Sequence, residues 1–281
     1  MRNTFVNTLA RMAEKDKNII LITGDLGYGV LSRFWEKCPK QFINAGISEQ
    51  NMTSVAAGMA LEGKNVFTYS IGNFSTLRCL EQVRNDCAYH GVNVKIVSVG
   101  GGFAYGQLGM SHHATEDMAI MRALPGVCVL APGDLAETEA VAKAAARHKG
   151  TVYIRLGKGG EKRIHADLKG FKIGSAIKMH EPGKVCVFSS GGILDEAVKT
   201  RDMLEKEGIK TGLYSFPAVK PIDRQAILKA AGKASLIVTM EENNINGGFG
   251  GAVAEVMASE SCKARLLITG INDLYSSVVG T

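Results

Sequence analysis

Short runs of β-branched and apolar residues alternate with helix-like segments along almost the whole sequence. The first set of predicted strands covers residues 19–23, 66–70, 94–99, 127–131 and 152–156, with helices beginning near Glu49, Phe74, Glu116 and Leu135. The second set of strands covers residues 185–189, 211–216, 236–239 and 265–269, with helices at 193–207, 223–231 and 249–259. Such alternation is typical of βαβ units, whose strands lie parallel in one sheet. The sequence therefore predicts an α/β fold with mainly parallel sheets.

The alternation is interrupted by a charged, glycine-rich stretch that contains Lys158-Gly-Gly-Glu-Lys-Arg163 and ends in Glu181-Pro-Gly183. Clusters of Gly, Pro and charged residues between periodic segments are typical of linkers. We therefore predict two α/β domains, residues 1–160 and 184–281, joined by a linker over residues 161–183 that has room for a short strand.

Charge and cysteine usage narrow the classes of partner and compartment. The net charge of +6 comes from 33 basic and 27 acidic residues scattered along the chain, which favours a small anionic substrate over nucleic acid. The six cysteines show no CxxC or CxxH spacing, so we interpret them as reduced core residues of a cytoplasmic protein. No apolar run approaches the roughly 20 residues of a membrane-spanning helix. We expect neither a membrane nor a nucleic-acid partner.

The segment Gly46-Ile-Ser-Glu-Gln-Asn-Met52 follows a strand-like stretch and opens a helix, which places Glu49 in the first helical turn. The helix dipole and the free amides of that turn stabilise a carboxylate there. The spacing alone favours an N-terminal cap for Glu49, with a catalytic carboxylate as the alternative.

A glycine-rich loop from Gly100 ends in the pair His112-His113, just before a helix that begins near Glu116 and Asp117. Paired histidines raise the question of a metal site. Adjacent residues rarely face one ion, and no third ligand lies at a fitting spacing, so we expect no metal ligands in this chain. Glu116 and Asp117 are interpreted as helix caps.

The segment around Glu49 resembles the stretch of transketolases, deoxyxylulose-phosphate synthases and 2-oxoacid dehydrogenase β subunits in which a glutamate meets the aminopyrimidine of thiamine diphosphate. The resemblance implies that Glu49 shares a proton with the ring and so activates the cofactor. The loop after Gly100 is similar to the transketolase loop ending in Thr-His-Gln, which implies that His112 contacts the sugar donor. Phe74 and Ile71 match positions that pack on the pyrimidine.

The same resemblance implies further contacts. Asp25 and Leu26 match an Asp-Leu pair that faces the cofactor, and Arg78 matches an arginine near its substrate end. Arg2 and Arg155 lie near arginines that hold the substrate's terminal phosphate. The glycine-rich turn over residues 240–255 resembles the family's C-terminal domain and is interpreted as structural.

Departures from the family pattern concern the substrate. Leu108 stands where transketolases and deoxyxylulose-phosphate synthases have Asp, and Gly100 stands where transketolases have a phosphate-contacting His. These replacements leave the recognition of the usual sugar phosphates open.

A missing motif defines the expected assembly. Thiamine-diphosphate enzymes of this family bind Mg²⁺ and the diphosphate through Gly-Asp-Gly, but Gly24-Asp25 and Gly133-Asp134 are each followed by Leu. The resemblance therefore implies only the pyrimidine-binding and C-terminal domains. It predicts a partner subunit that carries Gly-Asp-Gly and Mg²⁺, a cofactor shared between the two subunits, and an α₂β₂ heterotetramer.

We therefore predict the C-terminal subunit of a split transketolase, which moves a two-carbon ketol unit from a ketose to an aldose in carbohydrate metabolism. The alternatives are the β subunit of a 2-oxoacid or acetoin dehydrogenase, a 1-deoxyxylulose-5-phosphate synthase-like enzyme, or a non-catalytic scaffold subunit. Ser111-His-His113 is closer to transketolases than to the Gly-x-x-x-His-Ser turn of those β subunits. Retention of Glu49, Phe74 and His112 argues against a scaffold.

Overall fold

A computed structural model describes residues 1–277 of the chain, which contain two sheets with helices packed around them. The larger sheet has seven strands, in the spatial order β10-β5-β6-β4-β3-β1-β2. In chain order, its strands are β1 (Ile19–Thr23), β2 (Phe42–Asn44), β3 (Asn65–Ile71), β4 (Val94–Val99), β5 (Cys128–Leu130), β6 (Val152–Leu156) and β10 (Ala218–Lys220). Every neighbouring pair is parallel except β10 with β5.

The second sheet has five strands, in the order β12-β11-β8-β9-β7. These are β7 (Ile177–His180), β8 (Val185–Ser189), β9 (Thr211–Ser215), β11 (Leu236–Asn244) and β12 (Arg265–Ile271). Only β7 runs antiparallel to its neighbour. The predicted α/β class with mainly parallel sheets is confirmed.

The α-helices are α1 (Arg2–Ala13), α2 (Ser32–Lys37), α3 (Glu49–Leu61), α4 (Gly72–Ser75), α5 (Leu80–Gln82), α6 (Asp117–Ala123), α7 (Leu135–Arg147), α8 (Leu194–Lys206), α9 (Arg224–Ala231) and α10 (Phe249–Ser259). Short 3₁₀ turns cover Pro39–Gln41, Leu77–Cys79, Gly106–Leu108 and Met110–His112, and a π-helix covers Val83–Ala88. No helix within residues 1–277 is both long enough and apolar enough to cross a membrane.

The larger sheet is covered on both faces, and its central strands are mainly apolar. Strands β1, β4 and β6 are buried at every position. One face packs against α1 and α7, through residues such as Phe5 and Val141. The opposite face packs against α3, the π-helix and α6, and this cluster continues into the second sheet through Phe188 and Phe249. The two sheets therefore share one hydrophobic core.

The parallel order brings the carboxyl ends of β2, β1, β3, β4 and β6 to one edge of the larger sheet. In open parallel sheets this edge is where ligands bind. The segments that follow these five strands carry Glu49, Asp25, Phe74, the loop from Gly100 and Lys158, in that spatial order.

Two elements depart from the sequence-based expectation, and a third meets it in part. Strand β10 comes from the second half of the chain but joins the first sheet. Strand β7 is the short strand for which the predicted linker had room, although it joins the second sheet. The helix expected near Phe74 is short, and 3₁₀ and π-helical turns follow it.

Candidate active site

Glu49 is the first residue of α3, just after the turn that follows β2. Gly46 in this turn has a φ of 73°, a left-handed conformation that glycine adopts without strain. The Glu49 side chain is only 2% exposed. Its Oε1 accepts a hydrogen bond from the Ser70 hydroxyl at 3.3 Å, and its Oε2 accepts one from the Arg78 guanidinium at 2.8 Å. The carboxylate therefore faces β3 and the segment after it, and the interpretation as a helix cap is wrong.

The end of β1 lies tightly against this carboxylate. A Cβ atom at Gly24 would lie 3.2 Å from Cγ and 3.4 Å from Oε1 of Glu49. A side chain at position 24 would thus push Glu49 away from the sheet edge. Glycine here lets the backbone approach closely enough to hold the carboxylate in place.

Two aromatic rings continue the site outward from Glu49. The guanidinium carbon of Arg78 lies 4.2 Å from the centroid of the Phe74 ring, a cation–π contact. The Phe74 ring meets the His112 ring edge-on, with 5.0 Å between centroids. Residues distant in the sequence thus form one continuous row from Glu49 through Arg78 and Phe74 to His112.

The two adjacent histidines face different surroundings. His112 is half-buried, and its Nδ1 lies 3.0 Å from the Ser111 hydroxyl. His113 is buried, and its ring contacts Phe103 edge-on at 5.0 Å. The two imidazoles therefore do not converge on a common point, as the sequence indicated.

Tyr105 extends the row of rings beyond His112, with 6.3 Å between ring centroids. The Lys158 ammonium lies 4.6 Å from the Tyr105 centroid, and the Arg2 side chain lies near the Tyr105 hydroxyl. Burial raises the pKa of Tyr105, and the Arg2 charge opposes that rise. A Cβ at Gly100 would come within 2.1 Å of the Tyr105 ring, so this ring excludes any side chain at position 100.

Asp25 and Leu26 follow β1 at the same edge. Asp25 has a φ of 57°, and its Oδ1 accepts hydrogen bonds from Tyr28 at 2.7 Å and from Asn44 at 2.8 Å. Both hydrogen bonds lower the pKa of Asp25, and the bond from Asn44 has the larger effect. Leu26 packs on the core below the sheet, while Ile71 ends β3 half-buried.

Arg155 lies at the end of β6 in a different environment. Only 4% exposed, it donates from Nε to Asp117 at 2.9 Å and from Nη2 to the carbonyls of Ala114 and Glu242. Tyr153 donates to the same Asp117 oxygen at 2.5 Å. Asp117 is therefore the anion of a buried ion pair, and the interpretation of this residue as a cap is wrong.

The structure thus brings Glu49, Phe74, Arg78 and His112 together and places Arg2 near Tyr105. It engages Arg155 with Asp117 and with the carbonyls of Ala114 and Glu242. Sequence reasoning missed the four residues that complete the arrangement: Gly24, Ser70, Tyr105 and Lys158. Gly24 and Tyr105 stand inside motifs that were singled out. Ser70 lies directly before Ile71, and Lys158 opens the charged, glycine-rich stretch, but neither was predicted to reach the site because only the fold brings them there.

Comparison with known families assigns two parts of the chain. Residues 1–160 match the family defined as transketolase, pyrimidine binding domain, and residues 174–278 match transketolase, C-terminal domain. The chain belongs to the transketolase family.

Individual relatives of this transketolase-family chain cover nearly all of it. A putative transketolase C-terminal section from Methanocaldococcus jannaschii is 37% identical over 278 residues, which is 98% of this chain and 87% of that protein. One of the subunits of an apulose-4-phosphate transketolase from Phocaeicola vulgatus is 34% identical, over 97% of this chain and 87% of that protein.

A solved structure described as the inactive β₄ tetramer of a split-gene transketolase superposes with a TM-score of 0.91 and 34% identity. The superposition covers 98% of this chain and 90% of the chain in that structure. This transketolase-family chain is accordingly the C-terminal subunit of a split, thiamine-diphosphate-dependent transketolase, and the dehydrogenase and synthase alternatives are not favoured.

The residues at the sheet edge fit the cofactor that the family implies. The pyrimidine ring needs one buried carboxylate and an apolar or aromatic face beside it. Glu49 supplies the carboxylate, which lies close to the backbone at Gly24. Phe74 supplies the aromatic face.

Proposed function

We propose that Glu49, Phe74 and His112 are the pyrimidine-side half of a transketolase active site, and that a partner subunit supplies the other half. The observation that carries this proposal is the buried Glu49 carboxylate at the carboxyl edge of the sheet, in register with both rings. When bound, thiamine diphosphate supplies the nucleophilic carbon and the electron sink for the two-carbon unit.

Glu49 holds and moves the proton at the cofactor's ring nitrogen. A buried carboxylate is costly without a partner, and Ser70 and Arg78 supply its hydrogen bonds here. Arg78 reaches Glu49 from a side chain that is 43% exposed, so the arginine has room to turn toward solvent or substrate when the ring takes its place.

Phe74 and His112 serve the ring and the substrate, respectively. The Phe74 face packs against the pyrimidine, and aromatic packing of this kind contributes about 0.5–1.5 kcal/mol beyond area burial. His112 is held by Phe74 on one side and Ser111 on another. It donates a hydrogen bond to a substrate oxygen or accepts a hydroxyl proton. Asp25, Leu26 and Ile71 line the cofactor's surroundings.

Cationic side chains beyond His112 suit an anionic sugar. Lys158 and Arg2 both adjoin Tyr105, so positive charge collects where the donor chain would extend. Because the Tyr105 ring fills the space at Gly100, these two cations take over the role of the histidine that transketolases have there. The Phocaeicola vulgatus relative is named for a sugar phosphate, which agrees with an anionic substrate.

The partner completes the site. It carries the Gly-Asp-Gly motif that this sequence lacks, binds Mg²⁺ and the diphosphate, and assembles with this chain as an α₂β₂ heterotetramer. The name of the split-gene structure describes a β₄ tetramer as inactive, which supports the need for a partner.

Domain limits and compartment belong to the same proposal. We divide the chain into residues 1–160, 161–183 and 184–281, and the last four residues lie outside the described part. The six cysteines are free within residues 1–277, which supports a reducing, cytoplasmic location.

Reconstitution tests this function. The chain is purified alone and together with a Gly-Asp-Gly subunit from the same genome, and ketol transfer is measured across a panel of ketose and aldose phosphates. We expect transfer only when both chains, thiamine diphosphate and Mg²⁺ are present. Transfer by this chain alone, or oxidation of 2-oxoacids in place of ketol transfer by the pair, would overturn the proposal.

A further inference from the structure

A second polar cluster, which the proposed function does not use, lies at the N-terminus of α7. Asp134 and Glu137 are fully buried, and the His165 side chain is 10% exposed. One potential ligand atom from each of the three residues lies within 4.8 Å of the others. His165 comes from the predicted linker, so the cluster joins that segment to the first domain.

Helix capping accounts for one oxygen of each carboxylate in this cluster, but not for the other polar atoms. Asp134 Oδ1 accepts from the Glu137 amide at 2.7 Å, and Glu137 Oε2 accepts from the Gly133 amide at 2.5 Å, a reciprocal arrangement like a capping box. Glu137 Oε1 and both ring nitrogens of His165 remain, buried and without a hydrogen bond of normal geometry. Ion-pair distances join His165 Nδ1 to both carboxylates, and Ser215 lies beside Glu137, yet none of these contacts is a fully formed hydrogen bond. Buried polar atoms are rarely left in this state, which favours a further partner at this cluster.

The linker backbone fixes the imidazole beside the two carboxylates. The amides of Ile164 and His165 both donate to Asp134 Oδ2 at 2.7 Å. His165 Nδ1 then lies 3.2 Å from Asp134 Oδ2 and 3.5 Å from Glu137 Oε1. Tetrahedral zinc with bonds of about 2.0–2.1 Å separates its ligand atoms by about 3.4 Å. The two spacings from His165 Nδ1 agree with that geometry, and the two carboxylate oxygens lie within 4.8 Å of each other.

We propose that Asp134, Glu137 and His165 form a structural zinc site. The buried hydroxyl of Ser215 on β9, beside Glu137, or a water molecule supplies the fourth ligand. An imidazole with two carboxylates suits zinc, whereas Mg²⁺ and Ca²⁺ prefer oxygen ligands in larger number. The metal fastens the linker, and through β9 the second sheet, to the start of α7. This site is separate from the Mg²⁺ assigned to the partner, so either proposal can fail alone.

Metal binding to the purified full chain tests the site. The chain is stripped with a chelator, dialysed and titrated with Zn²⁺, and bound metal is counted by elemental analysis. We expect one Zn²⁺ per chain, a rise in Tm on binding, and the visible absorption of tetrahedral cobalt when Co²⁺ replaces Zn²⁺. His165→Gln should weaken Zn²⁺ binding at least tenfold and remove the rise in Tm, while millimolar Mg²⁺ should produce no such rise.

His90→Gln is the matched control, because His90 is exposed and lies outside the cluster. It should bind Zn²⁺ like the original chain. Glu137→Gln provides a second variant if His165→Gln does not give a native circular dichroism spectrum. A chain that binds no Zn²⁺, or folded variants that both bind it as tightly as the original chain, would overturn the proposal.

Discussion

Glu49 shows how a residue's surroundings decide its role. Its position in a first helical turn predicted a cap, and the flanking motif predicted a catalytic carboxylate. The hydrogen bonds from Ser70 and Arg78 show that the carboxylate is turned toward the sheet edge and does not cap the helix. The motif identified the residue, but not its partners, because Ser70 and Arg78 reach it only through the pairing of β3 with β1 and the turns that follow β3.

Lys95 is an ionisable residue in a fully buried position. It lies on β4, and its ammonium donates to the carbonyls of His148 and Gly150 at 3.0 and 2.8 Å and to the Asn93 side chain. Burial lowers the pKa of Lys95 to about 7. An unfolded lysine has a pKa of about 10.4. The folded chain therefore binds fewer protons than the unfolded chain between these two values.

We predict that this lysine makes the free energy of unfolding rise with pH above about 7. Its contribution has a slope of up to about 1.4 kcal/mol per pH unit. Lys95→Met should remove the rise, and Lys206→Met, at an exposed position of α8, should keep it. Urea unfolding of all three chains between about pH 7 and pH 8.5 measures the effect. Unfolded thiols have a pKa of about 8.5, but they titrate alike in the three chains and cancel from the comparison. Parallel pH profiles for the original chain and Lys95→Met would contradict the prediction.

At the scale of elements, buried apolar strands were predictable, whereas β10 was not. Strands β1, β4, β6 and β8 have the predicted limits because each is a run of apolar residues bounded by turns. Strand β10 has only three residues and follows Pro217, so it is too short to show an alternation of apolar and polar residues. It forms because β5 offers an open edge, where the Ala131 amide donates to the Pro217 carbonyl at 2.8 Å.

Arg155 links three elements, since it joins β6 to α6 through Asp117 and to β11 through the Glu242 carbonyl. We predict that Arg155→Met lowers the free energy of unfolding by roughly 3–5 kcal/mol, because it leaves Asp117 buried without a counter-charge. Guanidinium unfolding midpoints measure the loss. The double variant Arg155→Met with Asp117→Asn should recover part of it.

The exposed ion pair between Arg224 and Glu260 supplies the control, and Arg224→Met should change stability far less. An Arg155→Met chain that keeps its stability but shows a raised KM for substrate would instead support the phosphate-binding role suggested by the family resemblance.

At the scale of the whole molecule, the parallel sheet accounts for the position of the site. The sequence predicted the fold class, and the edge where β2, β1, β3, β4 and β6 end gathers the predicted residues in one place. The sequence predicted no metal ligands in this chain, whereas we now propose three. His165 lies in the linker, beyond a whole helix and strand from Glu137, so no spacing pattern connects the two residues.

In the proposed function this chain supplies only the pyrimidine-side half of the active site, so the most direct test uses both subunits. With the partner subunit, thiamine diphosphate and Mg²⁺, the C2 proton of the bound cofactor should exchange rapidly into deuterated water, as measured by acid quench and NMR. Glu49→Gln, which keeps the size of the side chain but removes its proton-holding group, should slow this exchange by on the order of 100-fold or more. Glu62→Gln, at the exposed end of α3, should leave it unchanged. Exchange at the original rate in a folded, cofactor-bound Glu49→Gln pair would contradict the account.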